Sequence, residues 1–305
     1  MVMRIGRVEL RVMDMDRSID FYTNVLGLEI VGRSKNQAYF KAWDEYDHHS
    51  LILTAADAPG LASFGLKVAN NDELASLEKR VEQFGLPTKR VSKGERLGEG
   101  EYIRFELPTG HQCELYYDIE RVGTKVGVLN PDPWPDNLSG IAPHRLDHIA
   151  ITGEDVNHAT RFFTDVLNFG QSEKIVAGEN GELELASFLF AKNGGKPHDI
   201  AFVKGPNNMF NHVGFYVDSW EQVLRAADIT TKNNVPSALT PQRHGITRGL
   251  TTYFFDPNGN CNEAFSHGYI TYPDFPTITW TEDNFDTAML YHYRKQPEAI
   301  VNGTV

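Results

Sequence analysis

The chain has 305 residues, room for two domains of about 150 residues each. Hydrophobic residues make up 41%, enough for a sizeable core, and a formal net charge of −12 gives a surface that repels phosphate backbones, so nucleic acid is not an expected partner. No apolar run approaches the roughly 20 residues of a membrane span, the start MVMRIGRVEL lacks the apolar stretch of a signal peptide, and Cys113 and Cys261 make neither a disulfide framework nor a zinc pattern. A soluble, cytoplasmic protein is the expectation.

In chain order, GRVELRV (6–12) alternates and reads as a strand. Asp14 or Asp16 then caps a helix bearing Ile19, Tyr22 and Leu26, with Gly27 as its stop. QAYFKAW and SLILTA form a strand pair. The pattern restarts at FGLKV (64–68), and Asp72 is positioned to cap a helix carrying Leu74, Leu77, Val81 and Phe84. EYIRFEL and QCELYY close the first half across the turn Pro108-Thr109-Gly110.

The second half repeats this order. FYTNVLGL (21–28) returns as FFTDVLNF (162–169), FGLKV as VGFYV (213–217), and RFELPTGHQCEL (104–115) as YFFDPNGNCNEA (253–264), the last at an offset of 149 residues. Residues 129–143, with four prolines among Gly, Ser and Asn, suit an inter-domain linker. The expected class is therefore α+β: four βαβββ modules paired into two curled, barrel-like mixed sheets. The expected division is 1–130, a linker at 131–143, 144–270, and a tail at 271–305 outside the repeat that packs on a surface or a neighbouring subunit.

Eight of the 11 histidines lie after residue 140. In LDHIAI, His148 shares a strand face with Leu146 and Ala150, opposite Asp147, Ile149 and Ile151. In HVGFYV, His212 lies opposite Val213, Phe215 and Val217. Each imidazole thus turns from an apolar face toward the interior of the curled sheet. Glu263 follows the turn 256–260 on an outgoing strand. Two imidazoles and one carboxylate make the facial ligand set that leaves three positions open on a ferrous ion. Any one of them alone reads as a core or solvated residue; together, at corresponding places in successive repeats, they read as a metal site. The first half offers Glu9, Ser63 and Glu114 at the matching places, two carboxylates without an imidazole, so a single metal centre is expected.

The stretch TTYFFDPNGNCNEAF (251–265), with PHDIAFV (197–203) and TPQRHGITRG (240–249), resembles the two-domain extradiol dioxygenases of the catechol 2,3-dioxygenase type, in the vicinal oxygen chelate superfamily. The likeness runs through both halves and the tail. It departs only at Cys261, where many relatives carry a basic residue. It implies Fe(II) held by His148, His212 and Glu263, with manganese an alternative for the same donors, and O2 as co-substrate. It implies His198 as the group that stabilises bound oxygen and manages its proton, and His244 and Tyr253 as groups that orient the substrate oxygens. The implied reaction is meta cleavage of catechol or an alkylcatechol to a 2-hydroxymuconic semialdehyde by a homotetramer. Phe188, Phe190, Ile246 and Leu250 are candidate walls, and His144, His158, His267 and His292 read as structural or surface residues. Two other classes compete: a glyoxalase-like lyase or epimerase on the same fold, which leaves His198 and His244 unexplained, and a small-molecule-binding protein, which needs no metal triad.

Overall fold

Each repeat unit builds one strand, one helix and three strands. The computed structural model describes residues 1–193 and 195–292. The first module comprises β1 (Val2–Val12), α1 (Met15–Asp20), β2 (Glu29–Arg33), β3 (Gln37–Lys41) and β4 (Leu51–Ala55). The second comprises β5 (Gly60–Val68), α2 (Asn71–Gln83), β6 (Lys89–Val91), β7 (Tyr102–Glu106) and β8 (Gln112–Tyr116). The third has β9 (Arg145–Gly153), α3 (Val156–Arg161), β10 (Phe169–Ala177), β11 (Leu183–Ala191) and β12 (Ile200–Lys204). The fourth has β13 (Phe210–Tyr216), α4 (Trp220–Lys232), β14 (Ser237–Arg243), β15 (Gly249–Phe255) and β16 (Cys261–His267). The expected α+β repeat is therefore present four times.

Modules pair through their first strands. β1 runs antiparallel to β5, and β9 to β13. The resulting sheets have the orders β2-β3-β4-β1-β5-β8-β7-β6 and β14-β15-β16-β13-β9-β12-β11-β10-β17. The extra strand β17 (Ile278–Thr281) belongs to the tail and adds to the open edge of β10 in parallel. The described part of the tail thus joins the sheet, and it carries a short helix, α5 (Phe285–Met289). The last 13 residues, 293–305, lie outside the described residues.

Every module starts its helix with the same device. Asp14, Asn70, Asp155 and Ser219 each accept the amide of the residue three positions on. Such a cap satisfies one orphan donor and contributes about 1 kcal/mol. The second helix is therefore capped by Asn70 rather than Asp72, whose carboxylate lies in the first turn. The one-turn helices α1 and α3 widen into π turns at Phe21–Val25 and Phe162–Val166. The chain then leaves through Gly27 at φ 87 and its counterpart Asn168 at φ 60, the left-handed region these two residue types tolerate.

Ile149, Ile151, Val213 and Phe215 join Ala159 of α3 and Val223 and Ala226 of α4 in one apolar core, which continues into the first half. Phe162 is the hinge of that continuity, edge-on to Phe84 at 5.2 Å and tilted against Phe105 at 5.6 Å. Each such pair contributes about 0.5–1.5 kcal/mol beyond its buried area. His148 and Ala150 point the other way, into the concave side of the second sheet.

Two reciprocal staples fix the halves. The Ile5 amide donates to Asp199 Oδ1 at 2.9 Å, and the Leu146 amide donates to Glu45 Oε1 at 2.9 Å. The other oxygen of each carboxylate accepts an amide of its own half, Ala191 at 2.8 Å and Ala42 at 2.7 Å. Buried strand-edge amides that would otherwise lack partners are satisfied this way.

Candidate metal centre

Three adjacent strands deliver the central cluster. In the register, Gly214 lies between His148 of β9 and Glu263 of β16. Gly214 has no room for a side chain, because a Cβ there would lie 2.4 Å from the His148 ring. His212 stands two residues earlier on β13. The three are buried. Among the described residues they are the one group of three or more His, Cys, Asp or Glu with ligand atoms mutually within 4.8 Å.

His148 Nε2 lies 2.7 Å from Glu263 Oε2, His212 Nε2 lies 3.2 Å from the same oxygen, and the two Nε2 atoms are 3.2 Å apart. Three donors at right angles on an ion, with bonds of about 2.1 Å, stand about 3.0 Å from one another. The observed triangle has that size. The far side of each ring explains why both lone pairs face inward. His148 Nδ1 donates to Asp147 Oδ2 at 2.9 Å, and His212 Nδ1 donates to Asn211 Oδ1 at 2.7 Å. Two nitrogen lone pairs and a carboxylate oxygen converging in a buried space call for a cation. Burial opposes charge on His148, but Glu263 and Asp147 outweigh it and raise its pKa to about 9. Burial likewise opposes ionisation of Glu263, yet His148 holds it well below the usual carboxylate range.

Simple alternation puts Asp147 on the face opposite His148. The pairing instead slips by one between Leu146 and His148, and again between Phe210 and His212. Asp147 and Asn211 are the extra residues of these two bulges, which turns each side chain toward the ligand that follows it. Both residues escaped sequence reasoning. The available signal was a polar residue directly before each histidine.

His198 is buried, its ring 4.1 Å from the His148 ring and 5.3 Å from Phe188, and its Nδ1 has no partner. Burial pushes its pKa well down, so the ring is neutral. Tyr253 pairs directly opposite Glu263 across β15 and β16. Its hydroxyl meets His244 Nε2 at 3.1 Å, and that nitrogen is 3.5 Å from Glu263 Oε1. Thr251 donates to Glu263 Oε1. All six residues singled out from sequence therefore line one cavity.

Away from the triad the cavity is mostly apolar, with Ala150, Ala201, Phe188 and Ile246 beside Lys204 and Thr247. Phe190 and Leu250 do not line it. Phe190 packs beneath Gly170, and Leu250 belongs to the main core. Phe285, Met289 and Leu290 of the tail complete the wall. The tail has no counterpart in the first half, so no repeat could reveal their place. His144 sits at the junction of the halves, 4.5 Å from Trp43, with Nε2 2.9 Å from Asp218. It is structural.

The first half places a different set at the same register. Arg7, not Glu9, lies across Gly65 from the position facing Glu114, as His148 lies across Gly214. Glu9 instead pairs with Ser63, as Ala150 pairs with His212. Arg7 is fully buried and ion-paired to Glu99 and Glu114, and Arg96 bridges Glu9 and Glu114 at 2.8 Å each. A buried imidazole is present too: His49 bonds Glu99 at 3.0 Å. Guanidinium groups thus occupy the region where a hard ion would sit between the carboxylates.

Residues 62–120 match the catechol 2,3-dioxygenase-like N-terminal domain, and residues 145–264 match the Glyoxalase/Bleomycin resistance protein/Dioxygenase superfamily. The chain is 38% identical to a metapyrocatechase of Pseudomonas sp. (strain CF600), covering 96% of this chain and 95% of that one. It is 28% identical to a manganese-dependent 2,3-dihydroxybiphenyl 1,2-dioxygenase of Geobacillus genomosp. 3, covering 95% and 94%. The crystal structure of the 2,3-dioxygenase LapB from Pseudomonas sp. KL28 superposes with a TM-score of 0.89 at 42% identity, over 93% of this chain and 99% of that one. With likeness of this depth along nearly its whole length, the chain belongs to the two-domain extradiol dioxygenases of the catechol 2,3-dioxygenase type.

Proposed function

We propose that His148, His212 and Glu263 hold Fe(II), and that the substrate is catechol or an alkylcatechol, opened with O2 to a 2-hydroxymuconic semialdehyde. The observation that carries this assignment is the donor triangle of 2.7, 3.2 and 3.2 Å, with both histidine Nδ1 atoms already committed elsewhere. The bound ion would supply adjacent open positions at which a deprotonated diol and O2 meet. The chain's own residues do the rest. Tyr253 and His244 lie at one edge of the triad and orient the diol oxygens. His198 lies on the other side of His148, neutral and with a free Nδ1, and is suited to exchange a proton with bound oxygen. The apolar wall accepts a flat, neutral ring and keeps water out. Lys204, at the lining, donates to the Glu154 carbonyl at 2.9 Å.

Manganese fits the same donors, and one relative is named for it. Iron is favoured here because the metapyrocatechase likeness is the stronger one. Among the described residues no helix is long and apolar enough to cross a membrane. We assign the chain to the cytoplasm as a homotetramer, with residues 1–130 as a metal-free domain, 131–143 as linker, 144–270 as the catalytic domain and 271–305 as tail.

The test is anaerobic reconstitution with Fe(II) or Mn(II), followed by air and catechol. A yellow product with matching oxygen uptake in the Fe(II) sample supports the assignment. No oxygen uptake with either metal removes the reaction, and uptake with Mn(II) alone reassigns the ion. Sedimentation as a monomer removes the tetramer.

A further inference from the structure

We propose that the tail segment 285–291 is a working part of the active centre: the Met289 carbonyl fixes the tautomer of His244, and Gly245 is the residue that lets the tail come close enough to do so. The inference rests on the assignment of His244 to the substrate side of the metal site.

The loop carrying His244 and the tail are joined by main-chain bonds on both sides of the imidazole. The Ile246 amide donates to the Ala288 carbonyl at 2.8 Å, and the Tyr291 amide donates to the Arg243 carbonyl at 2.9 Å. Between them, His244 Nδ1 bonds the Met289 carbonyl. A carbonyl oxygen only accepts, so Nδ1 carries the hydrogen. In the neutral ring Nε2 then keeps its lone pair and faces the cavity. It accepts the Tyr253 hydroxyl at 3.1 Å. A substrate hydroxyl arriving between Tyr253 and the triad can take the place of the Tyr253 hydroxyl on that lone pair, which the Met289 contact keeps aimed at the cavity.

Gly245 has no need of unusual backbone angles. Its glycine is required by proximity: a Cβ would lie 2.5 Å from the Thr287 carbonyl oxygen and 3.2 Å from Ala288 Cα. Both are backbone atoms, which cannot swing aside as a side-chain tip would. Any larger residue at 245 therefore pushes the tail off the loop. The tail also supplies Phe285, Met289 and Leu290 to the cavity wall, so its carbonyl and its side chains have separable effects. Met289 is a positioning residue: its main chain acts through His244, and its side chain shapes the space beside it.

The experiment compares wild type, Gly245→Ala and Met289→Ala, each checked for metal content and melting temperature. Nitrogen-15 NMR of histidine-labelled, metal-free protein reads the tautomer without any turnover. Wild-type His244 is expected to carry its hydrogen on Nδ1, and Gly245→Ala is expected to lose that uniform signature. Gly245→Ala should keep its metal and lose about 10²-fold in kcat, the scale of a misplaced catalytic group. Met289→Ala keeps the carbonyl and widens the wall, so its loss should fall on KM rather than kcat. Wild-type His244 protonated at Nε2 overturns the proposal, as does a Gly245→Ala enzyme with wild-type kcat. If wild type shows no oxygen uptake with catechol, the functional assignment fails instead, and the NMR result still decides the tautomer.

Discussion

The two halves of this chain share a register and solve the same electrostatic problem in opposite ways. In the second half a buried carboxylate, Glu263, faces two imidazoles, and its balancing charge is taken up from solution, as a proton on His148 or as a metal ion. In the first half the equivalent carboxylate, Glu114, faces Arg7, Arg96 and Arg104, and the positive charge is built into the chain. The bulged positions follow the same logic. Asp147 and Asn211, which hold the ligand rings, stand where the first half has Gly6 and Ala62. One duplicated frame thus yields one centre open to chemistry and one closed by it.

The largest effect is expected from exchanging a ligand with nothing. His212→Ala should lose the metal and lower turnover by about 10³-fold or more, read by metal analysis and oxygen uptake. The same change at its counterpart, Ser63→Ala, should leave both untouched. If His212→Ala keeps its metal, the difference drawn between the halves is wrong.

Next in size is Arg7→Met. Removing one partner of a buried ion cluster leaves Glu99 and Glu114 uncompensated and should cost about 3–5 kcal/mol in denaturant unfolding. Turnover per folded, metal-loaded molecule should not change. A neutral or stabilising result would mean that the arginines fill space without balancing charge.

Asp147→Asn tests the bulge. It keeps the shape but weakens the acceptor behind His148, and metal affinity should fall by about 10–100-fold. Equilibrium dialysis against a competing chelator measures this directly.

The smallest effect concerns acid. Burial opposes ionisation of Glu114, but Arg7 and Arg96 prevail and lower its pKa to about 2. In the unfolded chain a glutamate titrates near about 4.3. The cluster's contribution is therefore whole above about pH 5 and shrinks as pH falls toward 2. Unfolding midpoints of metal-free protein across that window should drop less steeply for Glu114→Gln than for wild type.

The four-module frame, the metal triad and the opposition of Tyr253 to Glu263 were legible because hydrophobic alternation and repeated turns encode them locally. The match between the halves was legible only in part. Strands β10 and β11 are nine residues each where β2 and β3 are five, so the offset changes partway through the repeat. Glu9 was matched to His148 although the 141-residue offset relating 21–28 to 162–169 leads to Arg7. The bulges were invisible because one inserted residue leaves alternation on either side intact. The tail could not be placed, since it has no second copy and its partner is main chain.

The self-contained charge cluster of the first half bears on how the molecule comes into being. During synthesis the amino-terminal half leaves the ribosome first. Its arginines and glutamates neutralise one another, so its charge balance does not wait on any ion in the surroundings. The later half then brings the one carboxylate of the matched pair that has no arginine beside it, and the balance of that portion is left to what it takes up.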